Sequence, residues 1–249
     1  MVKFLIIKNI FKVHYLFYLG ALISAILGYF KPFILISLLI IVHEFGHFLV
    51  AFYYKWRIKE VIIFPFGGVT VFNEYLNKPL KEEFLILIMG PLFQIIFYYL
   101  LTFLFGYNDS LRFYNYLLLS FNLLPIYPLD GYRLINLILN FFLPFKISHI
   151  ISLIISLIFI IIISLNLNFI FSILMFILFI KNIQELKNHK MIFNKFIIER
   201  YLNNFKFKKT KIIKGNNFNK IKRDYKHLFL INKKYYLEDQ ILKEKFDFH

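Results

Sequence analysis

Long apolar runs follow one another along most of the chain, and this pattern constrains the fold more than any other feature. They cover about residues 13–30, 33–54, 84–105, 111–143, 149–164 and 168–180. A helix needs about 20 apolar residues to cross a bilayer. Of the 249 residues, 59% are hydrophobic, whereas an ordinary globular domain has about 45–50%. The sequence therefore predicts an all-α polytopic membrane protein with six transmembrane segments.

The fourth apolar run is too long for one straight crossing, and two prolines interrupt it. Pro125 and Pro128 lie in NLLPIYPLDG, where each removes a backbone donor and breaks the helix. Backbone groups freed in this way are tolerated at membrane depth only where protein or a water-filled cavity surrounds them. We therefore predict a broken fourth segment beside a wet interior site.

The formal net charge of +16 is unevenly distributed along the chain. Residues after 180 include 18 Lys and Arg against 7 Asp and Glu. The connections predicted on the opposite side, at Lys31-Pro32, near 106–112 and near 165–167, contain two basic residues. Because basic residues concentrate on the cytoplasmic side and are attracted to anionic lipid, we expect both termini there. We found no nucleic-acid recognition motif, so we expect no direct nucleic-acid partner.

Two segments outside the apolar runs show strand patterns. FPFGGVTVF, residues 64–72, predicts either a tight turn or a short membrane-associated β-hairpin that could pair with a peptide at its edge. In the tail, HLFLINKKYYL predicts a second hairpin. We divide the chain into a membrane domain, residues 1–190, and a short basic cytoplasmic α+β domain, residues 191–249.

The second apolar run contains HEFGH, residues 43–47, which brings three ionisable side chains close to the middle of the bilayer. Residues four apart project from one helix face, so His43 and His47 can offer two imidazoles to one metal ion. Glu44 can reach a water on that ion and act as general base, which is the physical basis of the H-E-x-x-H pattern. Such groups are costly in hydrocarbon. The purely structural alternative is a histidine pair satisfied by neighbouring helices.

A third ligand is expected from another segment, because catalytic zinc usually takes three protein ligands. Asp130 is the only carboxylate between Asp109 and Glu185, and it follows the helix break. Its side chain can cap the next helix or bind the metal, and beside two histidines ligation is the favoured interpretation. The chain has no cysteine, and imidazole with carboxylate suits zinc. We predict one Zn²⁺ bound by His43, His47 and Asp130.

Two amide side chains lie in the same apolar region. Asn122, eight residues before Asp130, can hold a scissile carbonyl or satisfy a freed backbone carbonyl, and its spacing leaves both roles open. Gln94 follows Gly90-Pro91, and we expect it to form hydrogen bonds between helices rather than to take part in chemistry.

Together these residues predict hydrolysis of a peptide bond in a membrane-associated protein substrate. The alternative function is a metal-ion transporter that uses the same His and Asp side chains, because transporters place ion sites in broken helices. Glu44 favours hydrolysis, since a general base adds little to ion passage. A third possibility is a catalytically silent scaffold whose tail binds partners.

Four motifs in this order resemble the site-2 protease family of intramembrane zinc metalloproteases, peptidase family M50. They are HEFGH in an early span, PFGG in the next loop, a later Gly-Pro within a span, and N-x-x-P-x-x-P-L-D-G. The resemblance implies zinc ligation by His43, His47 and Asp130. It also implies that Glu44 is the catalytic glutamate and that Asn122 helps to position the substrate.

The similarity is strongest to family members that act in sporulation, and WRIKEVIIFPFGG, NKPLKEEF and NLLPIYPLDG carry it. It implies that the substrate is a sigma-factor precursor, pro-sigma-K, whose pro-sequence is removed in the membrane surrounding the forespore. It further implies inhibitory membrane proteins as partners and a tail related to CBS modules. Residues 195–249 are shorter than that module, so we expect a truncated version.

Overall fold

The computed structural model describes residues 10–65, 67–165, 169–203, 205–207 and 209–247. The chain divides into two compact units, Met1–Glu74 with Phe84–Leu123, and Tyr75–Glu83 with Leu124–His249. Within the described residues the structure is mostly helical, with two small three-stranded sheets. This composition agrees with the predicted helical membrane protein with short strands.

The first unit combines helices with a three-stranded sheet. Its elements are β1 (Phe11–Val13), α1 (Tyr15–Ile26), α2 (Phe30–Tyr53), β2 (Ile58–Phe64), β3 (Gly67–Phe72), α3 (Leu80–Phe105, from Phe84 onward) and α4 (Asp109–Asn122). The strands β1 and β2 are parallel, and β2 and β3 are antiparallel. The segment 64–72 therefore forms the end of a β-hairpin rather than an isolated turn, although Phe66 lies outside the described residues.

The predicted turn at Lys31-Pro32 lies instead within the first turn of α2. This helix begins at Phe30, so Pro32 is its third residue. The first amides of a helix have no helical carbonyl to bind, and proline loses nothing there. The reversal comes earlier, at Gly28, whose φ of +76° is accessible to glycine without a steric penalty.

Three helices among the described residues are long and apolar enough to cross a membrane, namely α2, α3 and α6 (Phe145–Ser164). Helix α1 is apolar but has 12 residues. The apolar helices indicate an integral membrane protein, whereas six crossings stay a prediction. The connection expected near 165–167 lies, apart from Leu165, outside the described residues.

The second unit contains the rest of the chain. Its elements are α5 (Asp130–Phe142), α6, α7 (Phe169–Lys187), α8 (His189–Leu202), β4 (Lys209–Lys214), a short 3-10 turn (Phe218–Lys220), β5 (Tyr225–Ile231), β6 (Lys234–Leu237) and α9 (Glu238–Asp247). The non-helical stretch before α5 is the predicted break in the fourth apolar run. Strands β5 and β6 form the predicted tail hairpin, whose turn uses Asn232 and Lys233 at positive φ.

Each unit has its own apolar core. In the first, buried residues of α2, β2, α3 and α4 pack together: Leu39, Ile40, Ile63, Tyr98, Leu111 and Leu118. In the second, the tail sheet packs against α8 and α9, and Phe145 at the start of α6 joins this core. The rings of Phe145 and Phe196 stack with centroids 4.1 Å apart. The domain boundary at residue 190 stays a prediction.

A buried ionic cluster lies in the same unit. Arg200 donates from Nε to Glu238 Oε1 at 2.5 Å and from Nη2 to Oε2 at 3.0 Å. Glu238 also accepts a hydrogen bond from the backbone N–H of His227 at 2.9 Å. Although burial raises the pKa of Glu238, hydrogen bonds from His227 and Arg200 hold it at about 2. These bonds compensate the charge of Glu238 inside the tail.

Candidate metal centre

Helix α2 carries the HEFGH motif near its middle and buries all three of its ionisable side chains. His43, Glu44 and His47 are exposed by 1%, 5% and 4%. The two imidazole rings lie on one face of the helix, as predicted, with their centroids 4.8 Å apart. Their Nε2 atoms are 3.1 Å apart. Both rings are therefore aimed at a common point.

Glycines bring α3 against these rings. A Cβ atom on Gly46 would lie 2.4 Å from the backbone oxygen of Met89, so the backbones of α2 and α3 are in close approach. A Cβ on Gly90 would lie 2.3 Å from His47 Nε2. Small residues permit such close helix packing in membranes. The Gly-Pro of α3 thus makes room for the imidazole of His47.

The Nδ1 atom of each ring faces an oxygen. His47 Nδ1 lies 2.7 Å from the backbone oxygen of Ile86, and His43 Nδ1 lies 3.0 Å from Gln94 Oε1. An oxygen of this kind only accepts a hydrogen bond, so each Nδ1 carries the proton. In the neutral rings, both Nε2 lone pairs then point towards the same place. At 3.1 Å they repel each other unless a cation or a proton lies between them.

This arrangement fits a metal ion. In tetrahedral zinc coordination with Zn–N bonds of about 2.0–2.1 Å, two nitrogens lie about 3.3 Å apart. Among the described residues, His43, His47 and Asp130 form a group whose ligand atoms all lie within 4.8 Å of one another. Two imidazoles and one carboxylate suit zinc. The group could therefore hold a metal ion. Asp130 is the first residue of α5, whose N-cap is Leu129.

Strand β3 lies against the carboxylate of Glu44. Thr70 Oγ1 donates a hydrogen bond to Glu44 Oε2 at 2.6 Å. A Cβ atom on Gly68 would lie 2.3 Å from Glu44 Cγ, so only glycine leaves room for this side chain. The hairpin and the motif helix are thus packed around one carboxylate. This contact was not predicted from the sequence, where a β-branched residue such as Thr70 indicates only a strand.

The two amide side chains also reach the histidines. Asn122, the last residue of α4, places Nδ2 3.5 Å from His43 Nε2. Gln94 is fully buried and bonds both His43 and Asn115, which confirms the expected hydrogen bonds between helices. Its contact with a candidate metal ligand was not predicted. The sequence contained a signal for such a contact, because a glutamine in an apolar run needs a polar partner.

Comparisons with known proteins agree with this geometry. The sequence profile of peptidase family M50 matches residues 32–110. Stage IV sporulation protein FB of Bacillus subtilis is 37% identical over 139 residues, which are 53% of this chain and 48% of that protein. A zinc metalloprotease of Methanocaldococcus jannaschii is 32% identical over 118 residues, 43% of this chain and 34% of that protein. The chain thus spans less than half the length of these curated relatives.

A solved structure supports the same relationship. The site-2 protease from Methanocaldococcus jannaschii superposes with a TM-score of 0.54 at 26% identity, over 70% of this chain and 89% of that structure. The profile match includes the HEFGH motif, the hairpin and the Gly-Pro of α3. Sequence, fold and the candidate ligand group therefore support a relationship of this chain to the site-2 protease family within peptidase family M50.

Proposed function

We propose that the chain is an intramembrane zinc metalloprotease that hydrolyses a peptide bond in a membrane-associated protein. The observation that carries this proposal is the carboxylate of Glu44, held by Thr70 beside two histidines whose Nε2 atoms are 3.1 Å apart. We assign one Zn²⁺ to His43, His47 and Asp130. A base next to a metal site suits hydrolysis, whereas ion transport requires none.

Each side chain has a separate chemical role. When bound, zinc supplies a Lewis acid that polarises a carbonyl and lowers the pKa of water. Glu44 accepts a proton from the attacking water and returns it to the leaving amine. Its Oε2 accepts the hydrogen bond from Thr70, so we assign the proton transfer to Oε1. Asn122 is proposed to bind the scissile carbonyl through Nδ2, which lies beside His43.

The substrate must be extended at the cleavage site, because a helix hides its carbonyls in internal hydrogen bonds. Strand β3 is at one edge of its sheet, and its residues Gly68 and Thr70 contact Glu44. A peptide that pairs with this edge would pass the catalytic carboxylate in extended form. We therefore propose that β3 receives the substrate strand.

The biological role is proposed from the sporulation relative. We propose that the substrate is a sporulation sigma-factor precursor, pro-sigma-K, cleaved in the membrane surrounding the forespore and controlled by inhibitory membrane proteins. Six crossings with both termini in the cytoplasm would place the basic tail, residues 191–249, on the side of such a substrate. The tail is proposed to be a truncated CBS-like module.

Co-expression with the sigma-factor precursor tests the proposal. The natural chain should convert the precursor to a faster-migrating form on a gel, and Glu44→Gln should abolish this conversion while the bound zinc is retained. Glu60→Gln is the matched control. Glu60 lies on the partly exposed strand β2 and pairs with Lys12 of β1, so this variant should leave cleavage unchanged. Full cleavage by Glu44→Gln would disprove the mechanism. Zinc uptake into vesicles without cleavage of the precursor would favour the transporter.

A further inference from the structure

We propose that Gln94 is a positioning residue that determines which nitrogen of His43 faces the metal, and that the main chain of α4 sets the orientation of Gln94. The inference rests on the proposed function, since it requires a metal at His43. It concerns a residue that is neither a ligand nor the base. The chain of contacts runs from α4 through α3 to α2.

Gln94 occupies a closed polar environment. Its side chain is 0% exposed and that of Asn115 is 2% exposed, so water does not compete for these hydrogen bonds. Gln94 Oε1 lies 3.0 Å from His43 Nδ1. Gln94 Nε2 donates to the backbone oxygen of Asn115 at 3.1 Å and to its Oδ1 at 3.0 Å. Both ends of the amide are therefore engaged.

The backbone oxygen of Asn115 decides the orientation of the amide. A main-chain carbonyl can only accept a hydrogen bond, so the NH₂ group of Gln94 must face it. In the flipped orientation, Gln94 Oε1 would lie about 3 Å from the backbone oxygen of Asn115. A buried acceptor without a donor costs about 1–3 kcal/mol. The side chain of Asn115 could rotate to suit either orientation, but its main chain could not.

The consequence is a fixed tautomer at His43. Because Gln94 Oε1 faces Nδ1, this nitrogen carries the proton, and Nε2 presents its lone pair towards Nε2 of His47. The backbone oxygen of Ile86 imposes the same tautomer on His47. Carbonyls of α3 and α4 thus select both coordinating nitrogens before a metal arrives. Removal of a hydrogen-bond partner of a metal ligand typically weakens metal binding by about 10–100-fold.

Three variants of the full-length chain in detergent test the inference by competition for Zn²⁺ against a chelator. Gln94→Met removes the acceptor at nearly constant volume and should weaken zinc binding about 10–100-fold. Gln94→Glu with a neutral carboxyl group can donate its O–H to the Asn115 backbone oxygen and keep its carbonyl oxygen towards Nδ1, so it should restore tight binding. Asn115→Leu keeps the backbone oxygen and should bind zinc as the natural chain does. Thermal unfolding without zinc shows whether each variant is folded.

The inference would be overturned if folded Gln94→Met bound zinc as tightly as the natural chain. It would also be overturned if Asn115→Leu lost as much affinity as Gln94→Met. If Gln94→Met does not fold, the natural chain loaded with ¹¹³Cd and labelled with ¹⁵N-histidine gives the answer by NMR. We expect cadmium coupling at Nε2 of His43 and a proton on Nδ1. Cadmium coupling at Nδ1 would refute the role of Gln94.

The same experiments separate the two proposals. A natural chain that binds zinc and cleaves the precursor, with Gln94→Met binding zinc equally tightly, would remove only the role of Gln94. A natural chain that binds zinc at His43 without cleaving any precursor would remove the proposed protease function. In that case the altered affinity of Gln94→Met would still report on metal positioning.

Discussion

Two buried histidine sites in this chain use their ring nitrogens in opposite ways. His227 in the tail uses both ring nitrogens within the protein: Nδ1 lies 3.2 Å from Glu238 Oε2, and the backbone N–H of Lys222 donates to Nε2 at 3.2 Å. Burial lowers the pKa of His227, although its bond to Glu238 raises it. In α2, by contrast, His43 and His47 use Nδ1 for the protein and turn Nε2 towards each other.

The comparison distinguishes a structural histidine from a ligand histidine by its hydrogen bonds. A buried ring that donates one hydrogen bond and accepts another has partners at both nitrogens, and it stabilises the fold. A pair of rings that donate from Nδ1 and bring two Nε2 atoms to 3.1 Å is instead placed to share a cation. The predictions below test this distinction, from the largest expected effect to the smallest.

Removal of a proposed ligand histidine should remove the metal but preserve the fold. We expect His43→Ala to lose the bound zinc, from about one ion per chain towards none, and to lose cleavage. The variant should still fold in the absence of metal, although the buried Gln94 Oε1 loses its donor and the free energy of unfolding falls by about 1–3 kcal/mol. Metal analysis by mass spectrometry and calorimetry measure both quantities.

The matched variant His227→Ala should lose stability but keep its zinc. It leaves Glu238 and the N–H of Lys222 with fewer partners inside the tail, so we expect a loss of about 1–3 kcal/mol in the free energy of unfolding. Zinc content should remain that of the natural chain. Loss of zinc in His227→Ala, or unchanged zinc in His43→Ala, would contradict the distinction between the two sites.

The tail cluster should also make stability depend on acid pH. The pKa of Glu238 is about 2 in the folded chain and 4.5 without these interactions. A lowered pKa stabilises the fold above about pH 4.5, and this contribution is lost as the pH falls towards 2. The difference corresponds to about 3 kcal/mol. Hydrogen exchange of the β5 amides between these pH values measures it.

The control for this pH dependence is Glu238→Gln, which cannot ionise. Its β5 amides should exchange faster at neutral pH and should show little further change on acidification. A natural chain whose β5 protection is constant from neutral pH down to pH 2 would show that the ionic cluster does not stabilise the tail.

The glycine next to Glu44, the proposed catalytic base, should be indispensable. A methyl group at position 68 would lie 2.3 Å from Glu44 Cγ and would displace this side chain. A shift of about 1 Å can reduce a rate about 100-fold, so we expect Gly68→Ala to lose about that factor in cleavage of the precursor. Zinc content should be retained, because neither histidine is touched.

Gly67→Ala provides the matched control for this variant. Among the described residues other than its chain neighbours, no heavy atom lies within 4 Å of a Cβ placed on Gly67, although Gly67 belongs to the same strand as Gly68. Cleavage by this variant should be close to that of the natural chain. Equal losses in the two variants would indicate that the hairpin tolerates no added methyl group, whatever its position relative to Glu44.

The smallest expected effect concerns the hydroxyl of Thr70, which binds the proposed base, Glu44. Thr70→Val keeps the shape of the side chain but removes its hydrogen bond to Glu44 Oε2. A hydrogen bond to a charged group contributes about 1.5 kcal/mol or more, which corresponds to about a tenfold loss in the cleavage rate. Initial rates of precursor cleavage provide the measurement, and Thr70→Ser should restore them. A Thr70→Val variant with the natural rate would show that Glu44 needs no such partner.

The local features of this chain could be predicted because they depend on neighbours in sequence. The pair His43 and His47 follows from the helical period, and the break before α5 follows from two prolines. The two hairpins follow from β-branched and aromatic runs around turn residues. One local prediction was wrong, the turn at Lys31-Pro32, because proline is also accommodated in the first turn of a helix.

The sequence by itself determined the class of protein, the position of the motif in an apolar helix and the residue types that suit zinc. Only the tertiary structure decided which nitrogens face each other, because Gln94 is 51 residues from His43 and Asn115 is a further 21 residues away. It also decided that β3 rather than another strand lies on Glu44. Such contacts depend on how separate helices and strands pack, and residue spacing along the chain does not encode that packing.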